Sequence, residues 1–444
     1  MSLVEFDHCV SLAQARKIIR PAFEGNLREK KAALALVGGP ASGSDLVAEA
    51  TLADLARQQW AVMGMRQGFF DLMYRDPLRE NAHYVSLDKP GSLADGLLTT
   101  SRENPLMKRN GSIDSAFIAN NVLDPENHVM IITVINKLLA LGASVLILQG
   151  GDGTLSLTYC LNRLGFLVVH VIKSVDDDYI LFPDDPQAGH TYGFESAVKA
   201  IQPHIISAKE DAQSENTIIF LQCLGRGSGA IAYQAAVDGE VHGVWAAEDV
   251  AAGETLHQFC VRIADFIVDR RKRGIAHAVV VLSENLAIRF EGELGKLKRD
   301  RLLNPRPSTV NIGAIIAKRV EKIYRKKWAK ISSLRDRVYR MRNEGCMFTC
   351  RVVPRKSMSI GDRTYCRGLG SAIAKLVLTG QFGTSARWDP VRGTSASVPI
   401  RMLVNPQDGT SIKRMVAPGS SLYHAVQQLR EAEKNSKPLY PFSD

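Results

Sequence analysis

Leu146-Ile-Leu-Gln-Gly-Gly-Asp-Gly-Thr154 is the stretch that decides the fold. A short apolar run closes on three glycines, and helical spacing follows. Glycines at such a turn let backbone N–H groups come close to an anion. The helix start aims its positive dipole end at the same place. Phosphate alone gives no reason for a carboxylate in the turn. Asp152 makes chemical sense if Mg²⁺ accompanies the phosphate, because that ion takes one or two protein carboxylates plus phosphate oxygens. A purely structural turn is the competing reading.

Outward from there the design recurs. AALALVGG (Ala32 to Gly39) is another apolar strand closing on a glycine pair, and LGFLVVHVIKS (Leu164 to Ser174) is a third. Helical spacing predicts a lead-in helix within the first 30 or so residues. It predicts another from Ser44 to Gln59, capped by Ser44 or Asp45, and a third from Glu126 to Gly142. Trp60 to Met65 is a further strand. A second set follows: a helix from Gly193, a strand from Asn216, a small-residue helix from Gly227 to Gly239, and a strand from His277. A helix from Asp362 is stopped by Gly380, and the tail after Ser385 reads as less regular. Apolar strands alternating with helices mean an α/β chain with parallel sheets.

The chain has 444 residues, and 45% hydrophobic with 23% charged places it among globular proteins of two or three domains. Its +10 charge is local. Sixteen Lys/Arg face three Asp/Glu between Lys296 and Arg342, a local +13, so the rest carries −3. Ile316, Val320, Ile323, Ile331, Leu334 and Val338 keep three- or four-residue steps (broken near Lys327 and Trp328), so an amphipathic basic helical segment is expected over 313–342. The plainest reading is a solvated basic face. A role in holding phosphorylated ligands comes second, and a nucleic-acid or membrane surface is the weakest reading. No apolar run reaches the roughly 18 residues of a membrane span. Seven scattered cysteines and an acidic N-terminus predict a reducing, cytoplasmic setting. Cys346 and Cys350 are half a zinc site at most, and small core thiols are the plainer reading.

About twenty residues beyond the glycine turn comes Ile172-Lys-Ser-Val-Asp-Asp-Asp178. Three consecutive carboxylates repel one another, and they are tolerated in solvent or where a metal or substrate hydroxyl uses them. A solvated acidic turn is the competing reading. Together the two segments resemble the phosphofructokinase family, in the branch of pyrophosphate-dependent and related ATP-dependent enzymes. The resemblance continues in order through Met65-Arg-Gln-Gly-Phe-Phe70, Thr100-Ser-Arg102, Thr191-Tyr-Gly-Phe-Glu-Ser-Ala-Val198, Cys223-Leu-Gly-Arg-Gly-Ser-Gly-Ala230, Val279-Val-Val-Leu-Ser-Glu284, Arg351-Val-Val-Pro354 and Asp362-Arg-Thr-Tyr-Cys366.

The resemblance implies two Rossmann-like α/β domains plus the added basic helical segment over 296–342. One domain, for phosphoryl donor and Mg²⁺, would take 1–187 and about 352–405. The other, for sugar phosphate, would take 188–351 and about 406–444. The implied reaction moves a phosphoryl group from ATP or pyrophosphate to the 1-hydroxyl of fructose 6-phosphate. Asp176 would be the base, with Ser174, Asp178 and Lys173 beside it. Gly39, Arg102, Gly151, Asp152, Gly153 and Thr154 would hold the donor, and Asp152 the metal. Leu224, Gly225, Arg226, Glu284 and Arg351 would join Ser174 and Asp176 around the sugar phosphate. The family completes its 6-phosphate pocket from a neighbouring subunit, so a homo-oligomer (dimer or tetramer) is expected.

Gly153 leaves room for the α-phosphate of ATP, whereas Lys173 is shared with pyrophosphate enzymes. The balance tips to ATP. Several shell positions depart from the family pattern. Ser42 stands where it has proline, and Asp45 adds negative charge near the donor. Asp177 replaces asparagine or glycine, Leu224 replaces methionine, and the spacing from Arg351 to Asp362 is about three residues longer. Such drift also suits a regulatory or impaired paralogue, or a kinase of another sugar phosphate. A lipid or nicotinamide-dinucleotide kinase shares the glycine turn but explains neither the three aspartates nor Leu224-Gly-Arg226.

Overall fold

The computed structural model describes residues 4–74, 84–86, 98–106, 121–299, 305–331, 341–346, 350–407 and 409–437, with only the backbone described at 84–86 and 345–346. The chain forms two compact units. Unit 1 takes Met1–Ser174, Tyr179–Gly193 and Pro354–Lys413, and unit 2 takes Val175–Asp178, Phe194–Val353 and Arg414–Asp444.

Unit 1 is built on a seven-stranded sheet. In spatial order its strands are Thr394–Pro399, Thr384–Asp389, Val168–Ile172, Val145–Gly150, Lys31–Leu36, Ala61–Met65 and Tyr84–Ser86. The five inner strands pair in parallel, and the two edge strands are antiparallel. Every residue of Val145–Gly150 is buried, as a continuous apolar run in a parallel sheet requires. From Lys31–Leu36 the chain moves outward to Ala61–Met65. From Val145–Gly150 it moves the other way, to Val168–Ile172. The switch in direction opens a crevice at the carboxyl ends of these two neighbouring strands, the place where such sheets bind ligands.

Helices Leu12–Gly25, Ser44–Arg57, Val129–Ala140, Asp152–Leu164 and Ile360–Leu378 belong to this unit. Ile360–Leu378 packs closely on Ser44–Arg57. A Cβ on Gly370 would stand 2.5 Å from Ala50 Cβ and 2.6 Å from Val47 O, so only glycine allows that approach.

Unit 2 has a four-stranded, wholly parallel sheet in the order Met341–Cys346, Ile218–Cys223, Ala278–Ser283, Gly243–Trp245. Helices Phe194–Glu215, Ala230–Asp238, Leu256–Lys272, Ile312–Trp328 and Ser421–Lys434 accompany it. Both units are therefore Rossmann-like α/β layers with mostly parallel sheets.

Three expectations are corrected. Helix Ser44–Arg57 is entered through Gly43 at φ 89° with no side-chain cap, and Ser44 Oγ instead donates to Ala41 O at 3.1 Å. The basic helix ends at Trp328. Ile331 is 49% exposed and lies off its apolar face, and Arg342 sits in the Met341–Cys346 strand, paired with Glu215 at 3.0 Å. Leu334 and Val338 lie outside the described residues. The tail is more regular than its composition suggested, with the hairpin of Thr384–Asp389 and Thr394–Pro399 followed by helix Ser421–Lys434.

Ile312, Ile316, Val320 and Tyr324 of the basic helix are buried in one cluster with Phe259, Cys260 and Ile263 of Leu256–Lys272, while Lys318, Arg319, Lys322, Arg325 and Lys326 are exposed. Cys160, Cys223, Cys260, Cys350 and Cys366 are buried free thiols and Cys9 an exposed one; the side chain of Cys346 lies outside the described residues. Among the described residues no helix is long and apolar enough to cross a membrane.

Candidate functional site

In unit 1 the glycine turns follow from strand ends in register. Leu36 pairs with Gln149 and Gly150 pairs with Ile172, so Gly39, Gly151 and Lys173 all lie just past neighbouring strand ends. The helix begins at Asp152 itself, with Gly151 as its cap, and Gly153 and Thr154 lie in its first turn. Thr154 is buried, with its N–H donating to Gly151 O.

Lys173 Nζ donates to Gly39 O at 2.7 Å and to Thr100 Oγ1 at 3.2 Å. Arg102 stands over Gly39, its Nη2 3.4 Å from where a Cβ would be. Burial, then the Arg102 charge, pull the Lys173 ammonium down to about 7. An incoming anion would favour its charged form again. Asp45 does not leave bare negative charge there, since Arg355 Nε lies 3.8 Å from it and the same guanidinium meets Glu49.

Asp152 is heavily engaged. Its Oδ1 accepts from Tyr179 Oη at 2.7 Å, from Ser411 Oγ at 2.6 Å and from Lys413 Nζ at 2.5 Å. The same ammonium sits 3.6 Å from the centroid of the Tyr179 ring. As arranged, this oxygen does not fit a divalent metal, because an ammonium already holds that place. Among the described residues no group of three or more His, Cys, Asp or Glu side chains could hold a metal ion.

In unit 2 the strand Ile218–Cys223 runs into Leu224-Gly-Arg-Gly-Ser-Gly229, and three backbone donors of this loop end on carboxylates. Gly225 N–H reaches Glu284 Oε1 at 3.1 Å, Arg226 N–H reaches Asp176 Oδ2 at 3.3 Å, and Gly229 N–H reaches Glu248 Oε1 at 2.7 Å. Leu224 is buried beneath the loop. Gly227 has Asp178 against it: a Cβ there would lie 2.2 Å from Asp178 Oδ2.

Glu284 follows directly from strand Ala278–Ser283, and its Oε2 has no hydrogen-bond partner among the described residues. Burial first, and then the Asp176 charge, raise its carboxyl to about 7; Gly225 N–H, Arg351 and Arg226 oppose the rise. Asp177 adopts φ 53°, a left-handed conformation that asparagine and glycine tolerate best. Its carboxylate is held by Arg414 Nη2 at 2.6 Å, both residues being buried, and Arg414 N–H donates to Asp178 O at 3.1 Å.

The structure thus gathers Gly39, Arg102, Lys173 and the Asp152 turn in unit 1, and Asp176, Asp178, Glu284 and Leu224–Arg226 in unit 2, with the Arg351 charge felt at Glu284. Ser174, half-buried, is the last residue before the chain passes into unit 2. Sequence reading did not find Tyr179, Ser411, Lys413, Arg414 or Glu248. An adjacent Lys-Arg pair in an irregular tail was the one signal available.

Glycine turns at parallel strand ends, with buried lysine and nearby arginine, give unit 1 an α/β layer whose strand-end groups suit an anion; a carboxylate-lined loop marks unit 2. A sequence model of the family described as "Phosphofructokinase" matches residues 31–339, and the chain belongs to that family. It is a divergent member. An ATP-dependent 6-phosphofructokinase of Chloroflexus aurantiacus is 26% identical over 260 residues, 58% of this chain and 65% of that protein. One from Lacticaseibacillus casei is 26% identical over 268 residues, 60% of this chain and 73% of the relative. The match to the first thus spans slightly less than two thirds of its length. Among solved structures, a pyrophosphate-dependent phosphofructokinase from Nitrosospira multiformis superposes with TM-score 0.60 at 14% identity, covering 94% of both chains. The phosphofructokinase from Saccharomyces cerevisiae gives 0.55 at 15%, covering 91% of this chain and 47% of that one. At such identities the structural likeness speaks for the fold.

Proposed function

We propose that the chain is a 6-phosphofructokinase-type phosphotransferase, acting on fructose 6-phosphate to give fructose 1,6-bisphosphate. The observation that carries this reading is Asp176, fixed by Arg226 N–H on the loop that also binds Glu284. A sugar hydroxyl is a poor nucleophile at neutral pH, and a positioned carboxylate that takes its proton supplies roughly 10²–10⁴-fold. Lys173, Arg102 and the Gly151–Thr154 helix start would hold the donor and offset charge on the transferring group, a largely electrostatic task. Ser174 and Asp178 would support Asp176. Glu284, Arg226 and Arg351 would position the sugar phosphate. The donor is ATP or pyrophosphate; Gly153 favours ATP, and the curated relatives carry ATP-dependent names. A homo-oligomer in the cytoplasm is the setting this reading implies.

Asp152's engagement by Lys413 favours a second reading, a regulatory or catalytically impaired member of the family. The two separate in one experiment. Fructose 6-phosphate turnover is measured with ATP and with pyrophosphate, each with Mg²⁺ and with EDTA. Turnover with either donor supports the first reading. Donor binding without turnover supports the second. In an active chain, Asp176→Ala is expected to lower kcat by about 10³-fold or more while donor affinity stays within about twofold. Full turnover in Asp176→Ala would remove Asp176 from the base role.

A further inference from the structure

Asp152 opens the helix Asp152–Leu164, and its Oδ1 carries a built cage: the Tyr179 hydroxyl, the Ser411 hydroxyl and the Lys413 ammonium. Three features make the cage specific for an ammonium. The Tyr179 ring lies 3.6 Å from Nζ and supplies a cation–π face. The Tyr179 hydroxyl closes on the same carboxylate oxygen, so ring and acid are fixed together. An isolated antiparallel bridge between Tyr179 and Lys413 sets the backbone from which both side chains leave. A divalent ion on Oδ1 would have to displace Nζ or stand within a few ångströms of it. Like charges that close disfavour each other strongly in a partly buried site.

We propose that Lys413 is the tethered counter-cation of Asp152, standing where the family resemblance puts Mg²⁺, so that unit 1 binds a phosphoryl anion without needing a divalent metal. The inference rests on the reading of the Gly151–Thr154 turn as the donor site. A primary ammonium placed at the helix start can itself face phosphate, as Lys173 does from the next strand end.

Two measurements on the full chain test it. Mn²⁺ alone is titrated and followed by electron paramagnetic resonance. The wild type and Lys413→Arg should bind it weakly. Lys413→Met and Lys413→Gln should bind it about tenfold or more tightly, the change expected when one charge-assisted competitor is removed. Adding Asp152→Asn to Lys413→Met should abolish that gain. Pyrophosphate is then titrated calorimetrically in EDTA and in Mg²⁺. The wild type should show affinities within about twofold of each other, and Lys413→Met should become Mg²⁺-dependent by about tenfold. Wild-type protein that binds Mn²⁺ as tightly as Lys413→Met, or pyrophosphate binding that requires Mg²⁺ in the wild type, overturns the proposal. If neither pyrophosphate nor ATP binds under any condition, the donor-site reading fails, and with it the metal-free anion binding; the Mn²⁺ titration still decides whether Lys413 holds the cation place.

Discussion

Lys413 meets Asp152 and Arg414 meets Asp177. The two basic residues are adjacent in the chain, yet each answers an acid of its own unit, and the pairs differ in kind. Arg414 and Asp177 side chains are 6% and 5% exposed, and the guanidinium also donates to Asp177 O. Lys413 and Asp152 are 30% and 14% exposed, and the lysine offers a single ammonium rather than a planar fork. A planar guanidinium in a buried pair locks backbone geometry, here the left-handed turn at Asp177. A lysine pair nearer solvent contributes little to folding stability, even where it holds a cation's place. The difference teaches that the acids of the two units are not one class: Asp177 is structural scaffolding, whereas Asp152 lies nearer solvent with a cation the fold does not depend on.

The sharpest way to break this contrast is Arg414→Met. It leaves Asp177 buried without its cation, and the expected loss is about 3–5 kcal/mol of unfolding free energy by denaturant titration. A loss below about 1 kcal/mol would show the pair is as loose as the other. Glu284 extends the comparison to a buried acid with no ion pair among the described residues. Folding raises its carboxyl from 4.5 to about 7, so the folded state binds the extra proton between those values and stability falls as pH rises through that window. Above pH 7 the full penalty, about 3 kcal/mol, is present. Glu284→Gln should therefore melt several degrees above wild type at pH 8, with the gap shrinking towards pH 5. A gap independent of pH would contradict the shift. The smallest effect is expected at the loose pair: Lys413→Met should change unfolding free energy by less than about 1 kcal/mol at pH 7. A change of several kcal/mol would make Lys413 scaffolding too.

What could be read from sequence follows the same physics. The strands Lys31–Leu36, Val145–Gly150 and Val168–Ile172 announce themselves because residues covered on both faces must be apolar throughout, and glycine must follow where the backbone turns at the strand end. The hairpin Thr384–Pro399 hides because its strands carry Ser385, Arg387, Ser395 and Ser397, with Arg387 1% exposed and donating from Nε to Leu181 O and from Nη1 to Ser385 Oγ. No periodicity reveals a buried arginine of that kind. Asp152, Asp176 and Glu284 stand out as carboxylates at strand ends. The counter-ions of Asp152 and Asp177 do not, because Lys413 and Arg414 lie in a stretch without regular spacing, and only the folded chain brings them to Tyr179 and Asp178. The Gly43 helix entry is equally silent, since Ser44 and Asp45 look like better caps.

The interleaving of the two units also bears on how the molecule can be divided. Unit 2 draws on three separated pieces of chain, one of them only Val175–Asp178, so no single cut releases either unit intact. A fragment ending at residue 339, the limit of the family match, would keep all four acids Asp152, Asp176, Asp177 and Glu284 but shed both Lys413 and Arg414. It would be an acidic half-mould without its basic fasteners, and transplanting one unit onto a relative would require several junctions chosen together.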